Sequence, residues 1–388
     1  LGVRGLQQIN NLPTSPTFSV IIPFRNRAIE SIKRNAESWS KQTDIDFELI
    51  VLDFGSRSEV SEKVRGIVTE YSFARYIFAD TEGWFWNKSQ ALNWAVSQTK
   101  GEYLIVSDAD LVYQLSFLAE VKSRISENKG LIYRFYYLPQ GFRFKEDFTQ
   151  AFFNFHNTAN QSADSANGNI IITKQKIIAV GGYDTFFRWW GGEDRDMVNR
   201  LEKEGVTFQY FDSPTAPVFH QWHPKTTDDM PKGWLEVIEQ SVKQTNKSLS
   251  LEKFIPPQDR PAKIIASQVK EKMMLPNFQF QFPKEKSWID FIVFFQNLPK
   301  GQNIRIQQNF DWIQPKSSAG KFLQGVNRFF ARVGFSYRWT EIRVIDTEHI
   351  SWREVRDFLF YFVLEFEQDF SDYYLETEGE ELLFVVVK

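Results

Sequence analysis

A chain of 388 residues with a formal net charge of -3 can bury a sizeable core and is long enough for two domains. Its basic residues are dispersed, so the electrostatic footprint of a nucleic-acid binder is missing and no nucleic-acid partner is expected. With no cysteine and only four histidines, disulfides and thiolate metal sites are excluded, and any metal must be held by Asp, Glu or His.

Apolar runs such as Leu359 to Leu364 fall far short of the ~20 residues that a spanning helix needs. No transmembrane segment is expected, which leaves peripheral contact with a membrane. The chain starts at Leu1-Gly2, so an anchor upstream of Leu1 stays open. Asn87-Lys88-Ser89 is a glycosylation sequon inside the nucleotide site argued below. A glycan there would block the site, so a cytoplasmic location is expected.

From Phe18 onward, apolar runs of strand length alternate with amphipathic stretches. Strands are predicted at residues 18–22, 47–52, 75–79 and 103–106, and helices at about 28–39, 60–71 and 88–98. This alternation, with strands apolar throughout, predicts an α/β fold with a mostly parallel sheet covered on both faces. Ligands on such sheets sit at the carboxyl ends of the strands. Arg25 and Arg27 follow the first strand, Asp53 the second, and Asp108 and Asp110 the fourth, so they are expected to converge.

A loop-rich stretch at 141–167 precedes a strand at 170–173, a Gly/Trp-rich segment at 181–192, a helix at 193–203 and a strand at 207–211. Pro256, Pro257 and Pro261 mark a linker. The expected domains are an N-terminal extension at 1–16, a catalytic domain at 17–252, a linker at 253–275 and a smaller C-terminal α+β domain at 276–388.

Asp108-Ala109-Asp110 at the end of a buried strand can grip a divalent ion and a ribose together, though an isolated Asp-x-Asp is as readily a helix-capping turn. Gly191-Gly192-Glu193-Asp194 puts two carboxylates at a helix start beside Trp189 and Trp190. That is ordinary acidic capping, or a site where glycines admit a sugar, a tryptophan stacks on it and one carboxylate acts as general base. His220 and His223 flank Trp222, which fits metal ligation or a pair of satisfied surface histidines.

Order and company decide between these readings. Pro23-Phe24-Arg25-Asn26-Arg27, Ser107-Asp108-Ala109-Asp110, and Gly182-Tyr183-Asp184 leading to Trp190-Gly191-Gly192-Glu193-Asp194 together resemble glycosyltransferases of the nucleotide-diphospho-sugar (GT-A) fold. The set is similar to the Golgi galactosyltransferases, the bacterial chondroitin-type polymerases and the polypeptide N-acetylgalactosaminyltransferases, over residues 17–224.

The resemblance implies a metal-dependent transfer of a hexose or N-acetylhexosamine from a UDP-sugar to a glycan or lipid-linked glycan. Pro23, Arg25 and Arg27 would line the uridine diphosphate pocket, and Asp53 would sit near the uracil. Trp86, Asn87 and Lys88 would form a nucleotide-contacting turn, with Lys88 standing where the galactosyltransferases have arginine and losing its planar fork. Asp108 would face the ribose with Ala109 beside it, and Asp110, His220 and His223 would hold the metal. Imidazole among oxygen ligands favours Mn2+, with Mg2+ as the alternative.

Asp194 would take the acceptor proton, with Glu193 as the next candidate. The resemblance to inverting members implies inversion, because the retaining polypeptide transferases generally carry asparagine at this position. Trp190, Gly191 and Gly192 would shape the donor sugar site. Ser165-Ala166-Asn167-Gly168 replaces a bulky aromatic of the galactosyltransferases and leaves room for an N-acetyl group. The competing readings are a catalytically silent sugar-nucleotide or glycan-binding module, and a nucleotidyltransferase; the latter lacks its glycine-rich basic loop here and leaves the Trp-Gly-Gly-Glu-Asp segment unexplained.

Overall fold

The computed structural model describes residues 16–142, 160–161, 168–211, 215–224, 230–243, 278–279, 288–300, 302–309, 352–370, 372–378 and 381–387. The chain divides into two compact units, residues 1–263 and 264–388. The linker expected at 253–275 and Ser165 to Asn167 lie outside the described residues.

The first unit is built on a seven-stranded sheet. Its strands are β1 (Phe18–Phe24), β2 (Phe47–Phe54), β3 (Ala74–Ala79), β4 (Tyr103–Val106), β6 (Lys129–Tyr133), β9 (Ile170–Thr173) and β10 (Thr207–Phe211), in the order β10-β6-β9-β4-β1-β2-β3. β1 pairs parallel with β2 and β4, β2 with β3, and β6 with β10. β9 runs antiparallel between β4 and β6.

The alternation of side chains along β1 explains why the strand is apolar throughout. Val20, Ile22 and Phe24 point into one core with Ile32, Ala36 and Trp39 of α1 (Ile29–Ser40) and with Val64 and Val68 of α2 (Ser58–Thr69). Ile21 points into the opposite core, with Ala91, Leu92 and Ala95 of α3 (Lys88–Gln98). That second core also takes Ile177 of α5 (Lys174–Ala179) and Met197 and Leu201 of α6 (Glu193–Lys203). Each such fully buried side chain contributes roughly 1.5–3 kcal/mol relative to exposure. α4 (Phe117–Arg124) joins the first core through Phe117, Leu118 and Val121.

A second sheet of four short strands has the order β5-β11-β7-β8, comprising β5 (Leu111–Tyr113), β7 (Tyr136–Tyr137), β8 (Asn160–Gln161) and β11 (Val218–His220). β11 lies antiparallel to β5, with His220 opposite Leu111. This sheet carries the turn after β4 and the histidine segment side by side. α7 (Trp234–Lys243) completes the described part of the unit.

The second unit has a sheet of order β12-β13-β15-β14, from β12 (Phe278–Gln279), β13 (Asn303–Asn309), β14 (Asp372–Glu378) and β15 (Glu381–Val387). Two helices accompany it, α8 (Trp288–Asn297) and α9 (Trp352–Glu365). Phe291, Phe295 and Phe362 pack with centroids 4.9–5.0 Å apart, and Phe362 reaches Phe384 of β15 at 6.3 Å. The aromatic clusters of this region thus form a helix-on-sheet core. Among the described residues, no helix is long and apolar enough to cross a membrane.

Candidate active site

The turns that follow β1 and β2 are clipped together. Asn26, in the left-handed region at φ 49°, donates its N–H to Ser56 Oγ at 2.8 Å and accepts from the Arg57 N–H at 2.9 Å. Pro23 is buried within β1. Arg25 Nη1 donates to the Trp84 carbonyl at 2.6 Å, and the half-buried Arg27 lends its charge to Asp108.

Asp53 is completely buried. Its carboxylate accepts from the Ser56 N–H at 2.9 Å, the Ser61 hydroxyl at 3.0 Å and the Tyr76 hydroxyl at 2.6 Å. It braces the β2 turn from within, and burial together with this bond pushes the Tyr76 hydroxyl pKa up.

Helix α3 begins at an Asn87 cap, whose Oδ1 accepts from the Gln90 N–H at 2.9 Å while its Nδ2 donates to the Thr185 carbonyl at 2.9 Å. Further along, Asn93 exchanges two bonds with Tyr183, giving Nδ2 to its carbonyl at 2.9 Å and taking its N–H at 2.7 Å. The Ser89 hydroxyl reaches the Phe187 carbonyl at 3.5 Å, and the Trp189 N–H donates to the Trp86 carbonyl at 2.8 Å. Side chains of Asn87, Ser89 and Asn93 therefore bind the main chain at 185, 187 and 183, and the Trp86 carbonyl binds 189. Trp86 also packs edge-on against Phe54, with centroids 5.6 Å apart. The sequon asparagine is buried and spent on this anchoring.

The anchored segment runs into the helix start. Trp189 has φ 64°, a strained conformation for a bulky residue. Gly191 and Gly192 follow at φ 90° and 92°, where glycine alone is unstrained. A Cβ on Gly192 would stand 2.5 Å from Phe187 Cδ1 and 2.8 Å from Ile238 Cγ2, so α7 packs directly under the turn. Trp190 is 48% exposed.

Lys88 joins the two carboxylate motifs. Its Nζ lies 2.9 Å from Asp108 Oδ1 and 3.7 Å from Glu193 Oε1. Burial works to lower the ammonium pKa, but Asp108 and Glu193 outweigh it and hold the pKa above the usual range. Burial likewise opposes ionisation of Asp108, and the Lys88 charge overcomes it, keeping the carboxyl below its ordinary value. Glu193 is buried, and burial together with the Asp194 charge raises its pKa to about 7 despite Lys88. Asp194 is half-buried and accepts from the Arg195 N–H at 2.7 Å. Gly168 borders these groups, because a Cβ there would lie 3.5 Å from Asp194 Oδ2 and 3.8 Å from Lys88 Nζ.

Asp110, His220 and His223 form a group of three whose ligand atoms lie within 4.8 Å of one another. His220 Nε2 is 3.6 Å from Asp110 Oδ1, and His223 Nε2 is 3.3 Å from Asp110 Oδ2. Asp110 Oδ1 is buried with no hydrogen-bond partner, a costly state for a carboxylate oxygen that a cation relieves. His223 Nδ1 lies 2.7 Å from the Pro224 carbonyl. A carbonyl only accepts, so Nδ1 carries a proton, which leaves Nε2 as the nitrogen that can ligate a metal. The donor set thus fits a divalent cation.

The structure brings Lys88, Asp108, Ala109, Asp110, Glu193, Asp194, His220 and His223 together around the carboxyl end of β4, and it puts Asp53 inside the fold. The bridging position of Lys88 is not visible from spacing, since the partners lie 20 and 105 positions away. Two polar residues behind the metal group, Asn35 and Gln221, were also not singled out from the sequence. Asn35 had a signal: it is a buried amide inside the apolar stripe of Ile32, Ala36 and Trp39.

Parts of the chain are similar to known proteins. Residues 19–183 match the model described as glycosyl transferase family 2, and residues 149–224 match the N-terminal domain of galactosyltransferase. Chondroitin sulfate synthase 3 of Mus musculus and of Homo sapiens are each 25% identical over 171 residues, 43% of this chain. The chain spans only 19% of the length of these curated relatives. Among solved structures, S. aureus TarS aligns at 15% identity and TM-score 0.41, over 61% of this chain and 41% of that one. GalNAc-T7 with UDP, GalNAc and Mn2+ aligns at 17% identity and TM-score 0.42, over 66% and 58%. The first unit therefore carries a stretch similar to glycosyl transferase family 2 that runs on into one similar to the N-terminal domain of galactosyltransferase.

Proposed function

We propose that this domain transfers a hexose or N-acetylhexosamine from a UDP-sugar to a hydroxyl of a glycan, with inversion at the anomeric carbon. The observation that carries the proposal is the junction of two half-sites through Lys88, one built on Asp108 and Asp110 and the other on Glu193 and Asp194. Asp110, His220 and His223 would hold a divalent cation, Mn2+ ahead of Mg2+ given the imidazole donors. A cation in this group supplies charge neutralisation for the departing diphosphate.

This chain's own residues divide the remaining work. Arg25 and Arg27 border the diphosphate region, and Asp108, paired with Lys88, faces the sugar-nucleotide. Asp194, on the more open side of the pair, accepts the proton of the acceptor hydroxyl as its oxygen bonds to the anomeric carbon and the bond to UDP breaks. Buried Glu193 and its partner Lys88 form one wall of the donor-sugar side, and the exposed Trp190 offers a stacking face. Gly168 beside Asp194 supports room for an N-acetyl group. The kinship with chondroitin sulfate synthase 3 supports a polysaccharide acceptor.

The test is a panel of UDP-sugars with Mn2+ and oligosaccharide acceptors, reading UDP release and product anomeric configuration. Turnover with UDP-GalNAc, UDP-GlcNAc or UDP-galactose is expected. Silence with every donor, with and without metal, would overturn the proposal.

A further inference from the structure

Helix α1 contacts both chain segments that supply the candidate metal ligands. From its buried face, Asn35 Nδ2 donates to the Asp108 carbonyl at 3.0 Å and approaches Ser107 Oγ at 3.4 Å. Ser107 is also gripped by the Tyr113 hydroxyl at 2.7 Å, which lies 2.8 Å from the Tyr133 hydroxyl. The turn carrying Asp110 is therefore fixed from beneath by side chains that touch neither a ligand atom nor the open side of the site.

The histidine segment is fixed to the same helix. Gln221, between the two histidines, is buried. Its Nε2 donates to the Ser31 carbonyl at 3.1 Å, and its Oε1 accepts from Arg34 Nη1 at 3.2 Å. The Gln221 N–H also donates to the Asp110 carbonyl at 2.8 Å, extending the β5–β11 ladder by one bond. One turn of α1, from Ser31 to Asn35, thus indexes the aspartate turn and the histidine segment against a common reference.

Polar side chains are an expensive way to fill this space. An apolar residue at Gln221 or Asn35 would bury as much surface without needing partners, whereas these amides restrict their neighbours to one rotation and register. What needs such restriction here is a three-ligand group drawn from the end of β11, the segment just after it and the β4 turn, because metal affinity falls steeply when outer partners release their ligands.

We propose that Asn35 and Gln221 are positioning residues of the metal centre, and that α1 sets the distance between Asp110 and the two histidines. This rests on the metal-binding reading above. Neither residue touches the cation; each acts through the backbone that carries a ligand.

The test is Mn2+ binding to the full chain, followed by electron paramagnetic resonance with and without UDP. Gln221→Met and Asn35→Leu are each expected to weaken Mn2+ affinity about 10-fold and to broaden the bound-Mn2+ line shape. Arg34→Met, at a residue one-third exposed, removes the partner of Gln221 Oε1 together with an ion pair to Glu30 on the same helix, and should weaken binding about threefold. Glu37→Ala, on α1 beside Lys41, should bind as the unmodified protein does. Circular dichroism and thermal midpoints report whether each variant is folded. Unchanged affinity and line shape in folded Gln221→Met and Asn35→Leu overturn the proposal. If Gln221→Met fails to fold, unchanged affinity in Arg34→Met overturns it for Gln221, and if Asn35→Leu fails to fold, unchanged affinity in Asn35→Ala overturns it for Asn35. Absence of Mn2+ binding in the unmodified protein overturns the metal reading and this proposal together.

Discussion

The Lys88 ammonium donates to Asp108 Oδ1 across 2.9 Å, and through that bond the turn after β4 is joined to the start of α6. Replacing Lys88 with methionine leaves two carboxylates facing each other without a cation. Asp108 is about one-third exposed, so the cost falls below that of breaking a fully buried pair. A loss of about 1–2 kcal/mol at pH 7.5 is expected in denaturant titration, with a larger loss in turnover. Lys88→Arg should keep the charge and recover most of the stability.

Glu193 gives a pH signature of stability. Its pKa is raised from 4.5 to about 7 in the folded protein, by burial first and by Asp194 second. The folded state thus binds a proton that the unfolded state releases, and the stability this confers fades as pH rises from about 4.5 to about 7. Glu193→Gln removes that dependence. Its stability relative to the unmodified protein should climb across that window and level off above it; a difference independent of pH would show that Glu193 is not protonated in the fold.

Asp110 and Asp194 should separate in kinetics. Asp110→Ala is expected to abolish metal-dependent UDP binding, measured calorimetrically. Asp194→Asn should bind UDP and metal normally while losing 10²-fold or more in turnover, roughly the scale of general base catalysis. Normal turnover in Asp194→Asn would move the base to Glu193.

Gly192→Ala should be poorly tolerated. The added methyl enters the Phe187 ring position, and φ 92° is unfavourable for alanine. A stability loss of about 1–3 kcal/mol is expected from the backbone alone. Turnover should fall as well, because the same turn aims Glu193 and Asp194.

Much of the first unit was legible in the sequence because β1, β2 and β9 are buried on both faces. Runs such as Phe47 to Leu52 and Ile170 to Thr173 could be recognised without any partner, and each lies inside an observed strand. The second sheet was not legible. β11 is only three residues long, Val218–His220, and is defined by its pairing with β5 rather than by any local pattern. His220 and His223 were found from their composition and order, while the strand that delivers His220 beside Asp110 depends on contacts far apart in sequence. Asp53 shows the opposite case. A carboxylate at a strand end looked available for a ligand, and three internal donors take it up instead.

The ladder between α3 and residues 183–189 reads only main-chain atoms. Asn87, Ser89 and Asn93 grip the carbonyls of Thr185, Phe187 and Tyr183, whatever side chains those positions carry. These bonds hold the segment leading to Glu193 and Asp194 independently of its side chains, which add burial of Tyr183 and Phe187 to the same attachment. Exchanging its less buried residues, Phe186, Trp189 and Trp190, should leave the segment seated as long as Asn87, Ser89 and Asn93 stay. The helix is the fixed partner of this contact, and Phe186, Trp189 and Trp190 are the positions of the segment where side chains can be varied against that fixed backbone.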